Sequence, residues 1–167
     1  MPSGNWSLEE VKGWLQAVKD PEIPVLTIQD LGVLRSIEAL FEGGIRVTIT
    51  PTYSGCPAMN TISADIRRLL LSKGIPTVEV IESLSPAWTT DWLSAEAHEK
   101  LEAFGIAPPQ SGSADKTALF SAAVQVPCPH CKSKNTELVS QFGSTACKAL
   151  YRCRSCSEPF DYFKCLR

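Results

Sequence analysis

Five cysteines account for most of the chemistry this sequence could perform. Cys56 stands alone, inside Ile49-Thr50-Pro51-Thr52-Tyr53-Ser54-Gly55-Cys56-Pro57-Ala58-Met59-Asn60. The other four form two pairs, Cys128-Pro129-His130-Cys131 and Cys153-Arg154-Ser155-Cys156, with 21 residues between the pairs. A tetrahedral ion needs four soft ligands, and each Cys-x-x-Cys turn supplies two sulfurs from one tight backbone knuckle. The paired motif therefore predicts a structural zinc ribbon in preference to a redox dithiol. An iron–sulfur cluster also takes four thiolates and stays open at this point, with Cys147 and Cys165 as further candidate ligands. For Cys56 the expected chemistry is different. A thiol at a helix start faces backbone N–H groups that have no intrahelical partner, at the positive end of the helix dipole. That setting predicts ionisation below the ~8.5 of a free cysteine, and the thiolate is both the nucleophile and the metal ligand. The alternative for Cys56 is a small buried core residue.

The elements that must hold Cys56 are legible in the flanking periodicity. Ile45, Val47 and Ile49 alternate with Arg46, Thr48 and Thr50, the mark of a half-buried strand. After the turn, Met59, Ile62, Ile66, Leu69 and Leu70 recur at helical spacing, with Gly74 as a stop. Pro57 suits the first helical position, which makes Cys56 the expected N-cap.

Upstream, Ser7 and Glu10 form a capping box, and Trp6 can pack onto Val11. Leu8, Val11, Leu15 and Val18 mark an apolar helix face that ends before Asp20-Pro21. The following segment, through Glu22 and Asp30 to Gly32, reads as an ordered loop whose three carboxylates cap helices and turns, with ligating a metal or lining a cleft as the alternatives. Val33 to Leu40 reads as a strand, Glu42-Gly43-Gly44 as a hairpin turn, and Thr77 to Leu84 as a third strand. Ser94 caps a last helix with Ala97, Leu101 and Phe104 expected inward and Gly105 closing it. Trp88 and Trp92, just before it, read as core or lid packing, with a partner-binding anchor as the alternative. This order predicts an α+β fold, a small, mostly antiparallel sheet covered by helices, followed by a small C-terminal zinc ribbon. The expected division is residues 1–105 for the α+β domain, 106–124 for a Pro/Ser/Gly-rich linker, and 125–167 for the four-cysteine ribbon. His130 is expected to face solvent from within the first knuckle.

Composition excludes several classes of function. A net charge of −2 gives no electrostatic footprint for nucleic acid or an anionic membrane. No apolar run approaches the ~18 residues of a spanning helix, and the N-terminus lacks a secretory pattern. Seven cysteines, an odd number, then point to metal binding in a reducing cytoplasm and not to a disulfide framework. With two histidines in unrelated contexts and no nucleotide-binding glycine motif, the chain is expected to be no enzyme.

Two sets of residues resemble known families. Asp20-Pro21-Glu22, Asp30-Leu31-Gly32 and the segment from Thr52 to Pro57 resemble the small iron–sulfur carrier domain of SufT-like proteins. The run Gly143-Ser144-Thr145-Ala146-Cys147-Lys148-Ala149-Leu150-Tyr151-Arg152-Cys153, with Glu158-Pro159-Phe160-Asp161-Tyr162-Phe163-Lys164-Cys165, is more specific. It resembles the C-terminus of the PaaD (PaaJ) phenylacetate-degradation proteins. The resemblance implies a carrier-type domain of the iron–sulfur assembly class joined to a metal-binding ribbon. It also implies an accessory role beside the phenylacetyl-CoA epoxidase, a di-iron monooxygenase fed by a reductase with flavin and a ferredoxin-type cluster. Carried over by position, Cys56 matches the cluster-handling cysteine, and Asp20, Glu22 and Asp30 match the acidic loop residues. The expected partners are the reductase or oxygenase subunits, or a second protomer completing the ligation of a transient cluster.

Overall fold

The computed structural model describes residues 6–110 and 125–164, in two compact units, Met1–Trp88 and Thr89–Arg167. In the first unit, helix α1 (Leu8–Trp14) starts at Ser7 with the expected capping box. Ser7 Oγ accepts from the Glu10 N–H at 3.2 Å, and the Glu10 carboxylate accepts from the Ser7 N–H at 2.7 Å. The helix is shorter than its apolar face, passing into a 3-10 turn at Leu15–Ala17. Strand β1 (Leu34–Ala39) pairs antiparallel with β2 (Ile45–Ile49), and β3 (Val78–Glu82) pairs parallel with β2 on its other side. The α2 helix (Ala58–Ser72) supplies the crossover that a parallel β2–β3 pair requires.

The strand alternation is realised as burial: Ile45, Val47 and Ile49 are fully buried, while Arg46 and Thr48 are half-exposed. Helix α2 turns Ala58, Met59, Ile62, Ile66 and Leu70 inward and packs along β3, with α1 against β1 and α2. Between β1 and β2 the chain turns through a short 3-10 segment in which Glu42 takes φ 63°.

The segment between α1 and β1 has no regular secondary structure, yet it is built into the core. Ile23, Leu26, Ile28 and Leu31 are buried, and the backbone hydrogen bonds Asp20 N–H to Leu26 O and Ile28 N–H to Val18 O fold it back on itself. Trp88 is buried and its Nε1–H donates to Leu31 O at 2.8 Å, so its indole anchors this loop as core packing.

The second unit contains α3 (Ala95–Ala103), β4 (Ile106–Ala107), β5 (Thr136–Ser140), β6 (Lys148–Cys153) and β7 (Pro159–Phe163). Its sheet runs in the order β4-β7-β6-β5, antiparallel except for the β4–β7 pair. Ser94 caps α3 as expected, its side chain accepting from the Ala97 N–H. Phe104 is exposed, not inward, because it falls at the C-cap, where the helical face has already turned away. Ile106 and Ala107, read from sequence as the start of the linker, are a buried strand, and the rest of that linker from 111 to 124 lies outside the described residues.

Candidate functional site

Two cysteine environments of opposite character emerge. In the second unit, β6 ends at Cys153 and the turn after it carries Cys156, while the strandless segment before β5 carries Cys128 and Cys131. The Sγ atoms of these four residues all lie within 4.8 Å of one another. Cys128 and Cys156 sulfurs are 3.8 Å apart, and Cys131 and Cys153 sulfurs 3.5 Å apart. Four sulfurs at about 2.3 Å from one tetrahedral zinc are separated by about 3.8 Å, so the observed spacing fits a single ion. Both knuckles are closed by backbone bonds, with Lys132 N–H donating to Cys128 O and Cys153 N–H to Glu158 O. Lys132 and Ser157, each just after the second cysteine of its pair, take positive φ of 63° and 66°.

Hydrogen bonds and burial pull two thiols of this cluster in opposite directions. The Cys156 N–H, helped by the Ser155 N–H and the neighbouring Cys131 thiol, pulls the Cys153 thiol down to about 6, against the opposing effect of burial. At Cys156 the Glu158 N–H pulls the other way, but burial and the three surrounding sulfurs outweigh it and push the thiol up to about 12.

Cys147 does not join this group. It precedes β6, and six residues of extended strand place it about 20 Å from Cys153. Its sulfur lies 3.0 Å from Thr145 Oγ1, and it is buried. Cys165 lies outside the described residues. His130 is exposed, as expected.

In the first unit, Cys56 lies where β2 passes through the Pro51–Gly55 turn into α2. The helix begins at Ala58 with Pro57 as its cap, one residue later than expected; Pro57 already has helical angles (φ −66°, ψ −22°), and Met59 N–H donates to Cys56 O. The Cys56 sulfur still lies at the helix start, where the Ala58 N–H donates to it. The Tyr53 hydroxyl donates as well. Sequence reasoning does not single out Tyr53; the available signal is its place three residues before the cysteine, on the same turn.

The expectation that Cys56 ionises easily is overturned. Burial of the half-exposed sulfur raises its pKa and outweighs the two donors, and the negative charges of Glu22 and Asp20 raise it further. Helix-start stabilisation is a fraction of an elementary charge, whereas desolvation acts on the whole thiolate.

The same observation brings the acidic loop to the cysteine. Asp20 and Glu22 act on Cys56 electrostatically, and both are half-buried. Asp20 also has a structural task, its Oδ1 accepting from the Glu22 and Ile23 N–H groups at 2.8 Å each. Asp30 is engaged in another turn, accepting from Thr27 N–H at 2.9 Å while its own N–H donates to Thr27 Oγ1. At the end of β2, the Thr50 hydroxyl is buried with no hydrogen-bond partner.

Comparison with known proteins divides the chain along similar lines. Residues 8–82 match a family described as iron–sulfur cluster assembly protein, and residues 112–164 match the PaaD zinc beta ribbon domain. Over 159 residues the chain is 48% identical to a protein of Escherichia coli K12 named as one of the components of 1,2-phenylacetyl-CoA epoxidase, covering 95% of this chain and 93% of that one. An Fe-S protein maturation auxiliary factor of Porphyromonas gingivalis is 37% identical over 90 residues, 53% of this chain and 85% of that protein. Among solved structures, the DUF59 domain from Bacillus anthracis matches with a TM-score of 0.52 at 27% identity, over 56% of this chain and 89% of the other. Among the described residues, no helix is long and apolar enough to cross a membrane.

Proposed function

The chain belongs to the PaaD-type family, an iron–sulfur assembly domain joined to a zinc ribbon, and on that premise we propose that it is a non-catalytic maturation factor of the phenylacetyl-CoA epoxidase system. Cys56 holds or relays an iron–sulfur unit, and the client is the reductase component, which carries the cluster of that electron-transfer chain. The ribbon holds one zinc ion through Cys128, Cys131, Cys153 and Cys156.

The setting of Cys56 carries this reading. It is a half-buried thiol, not among the four clustered sulfurs, with Ala58 N–H and Tyr53 hydroxyl donating to it and the Asp20 and Glu22 carboxylates acting on it. Its raised pKa keeps the resting thiol protonated, and a cation arriving at the sulfur displaces that proton while the carboxylates favour the positive charge. One sulfur per chain supplies one ligand, so the remaining ligands of a cluster come from the client, a second protomer or the acidic loop. Incomplete ligation suits a carrier, because a centre held by four internal thiolates is hard to give away.

The spacing favours one ion over a cluster, and the match to a zinc beta ribbon family points to zinc as that ion. A multi-iron centre spreads its thiolates over two or more metal atoms, whereas all four sulfurs here lie within 4.8 Å of one another.

Replacement of Cys56 by Ser tests the function. The variant is expected to fold, keep one zinc per chain and leave the reductase short of its cluster in cells. Normal cluster occupancy in that strain refutes the carrier role. A second reading is a docking component, favoured by the exposed Leu138, Val139 and Phe142 at the β5 end of the ribbon. It predicts stable co-purification with another member of the epoxidase system and indifference to Cys56→Ala.

A further inference from the structure

We propose that α3 and β4 belong to the ribbon's metal-dependent folding unit, so that release of the ion undocks Ala95–Ala107 together with the cysteine knuckles. Three observations within the second unit converge on this.

The first is a shared core. Ala107 of β4 is buried in one cluster with Val126, Cys128, Ala149, Tyr151, Cys153, Phe160 and Tyr162. Two of these eight residues are the innermost metal ligands, each fully buried. The core against which β4 packs is therefore partly made of the ligands themselves.

The second is the first knuckle's grip on α3. Lys132, directly after Cys131, closes the knuckle through its backbone N–H to Cys128 O at 2.9 Å. Its Nζ donates to Pro129 O at 3.1 Å and to Glu102 Oε1 on α3 at 2.5 Å. An exposed ion pair of this kind contributes little by itself; what it records is that the knuckle and the helix touch. At the end of α3, Gly105 takes φ 90°, and a Cβ there would lie 3.3 Å from His130 Cε1. The knuckle's own residue thus sits on the turn that closes the helix.

The third is length. Nine helical residues are too few to persist in water without packing, and the two-residue β4 is held by its parallel pairing with Asp161 and Tyr162 of β7 and by the core that Cys128 and Cys153 help to form. When the ion leaves, four crowded sulfurs lose the ion they share, the knuckles open, and Cys128 and Cys153 come out of the core beneath Ala107. Segment 95–107 then has no support of its own. Metal occupancy is read out as the order of a helix outside the ligand motifs.

The test is peptide-resolved hydrogen exchange on the full chain, with zinc bound, after treatment with a zinc chelator, and after zinc is added back. The expected result is a loss of protection of about tenfold or more across α3, in step with the knuckles, reversed by zinc. Helix α2, in the first unit, keeps its protection throughout. Cys131→Ser is expected to reproduce the chelated pattern even with zinc present. Retained α3 protection in protein shown to be metal-free overturns the proposal, and so does parallel loss at α2, which would make the dependence global. Neither outcome bears on cluster delivery by Cys56.

Discussion

Trp88→Phe separates two roles for the same residue, a clamp on the acidic loop and an anchor for a partner. The indole is 3% exposed and its Nε1–H donates to the Leu31 carbonyl at 2.8 Å. Phenylalanine keeps an aromatic ring in place but removes the donor, which leaves a buried carbonyl short of its partner at a cost of about 1–3 kcal/mol. The smaller ring adds a cavity of a few tens of Å3, about 1 kcal/mol more. The expected loss is therefore about 2–4 kcal/mol. A unit of this size has on the order of 4–13 kcal/mol in total, so the variant keeps its fold wherever the parent exceeds about 4 kcal/mol, with a melting temperature lower by on the order of 10 °C or more. The assay is urea unfolding of the full chain, following hydrogen exchange of α2 so that the first unit is read separately. An unchanged midpoint, or loss of partner binding at unchanged stability, would refute the clamp and return Trp88 to the docking alternative.

Two further experiments test the electrostatics and the packing. Alkylation of Cys56 by iodoacetamide, read at its own peptide, is expected to be slow at neutral pH and to climb with a midpoint above that of a free cysteine, because burial raises the thiol's pKa. Because the folded value exceeds the unfolded one, the protonated thiol's contribution to stability is fully present below the unfolded pKa and is lost as pH rises from there through the folded pKa. Glu22→Gln removes one of the raising charges and is expected to speed the reaction at fixed pH; fast alkylation of the parent chain at pH 6 would contradict the whole account. Gly143→Ala drives a Cβ to 2.7 Å from Asp161 Oδ1, an atom of the carboxylate that also holds Ser144 Oγ and the buried Lys148 ammonium. The ribbon should lose about 1–3 kcal/mol with its metal stoichiometry intact, and an unchanged melting temperature would show that the loop yields freely.

The parts of this protein that sequence makes legible are those whose determinants are local. Each Cys-x-x-Cys knuckle is one tight turn, so its ligands can be read without knowing what brings the two turns together. The capping box of α1 and the alternation of β2 are similar, since each follows from side-chain spacing along a single element. The ionisation of Cys56 reads with the wrong sign from sequence because only one of its determinants is local. The helix start lies next to it in sequence, but the burial that dominates its pKa is a property of the folded unit, and Asp20 and Glu22 approach from more than thirty residues upstream. Strand β4 escapes for a related reason. Two residues carry no detectable period, and their burial depends on β7, more than fifty positions away.

The two cysteine environments differ in the property that decides whether a metal stays or leaves. Cys128 and Cys153 are sealed in a core, their sulfurs already at one-ion spacing, so a metal there is held by ligands that have nowhere else to go. Cys56 is half-exposed and offers a single sulfur, whose resting proton competes with any incoming cation. A strongly acidic thiol would meet an incoming cation with no proton to displace. On the carrier reading proposed above, the resting proton weakens the hold of Cys56 on a cation, and the carboxylates of Asp20 and Glu22 supply attraction without supplying a soft ligand. On the proposed reading, a client that presents several thiolates outcompetes this site on ligand number alone, and transfer runs toward the client without an energy source.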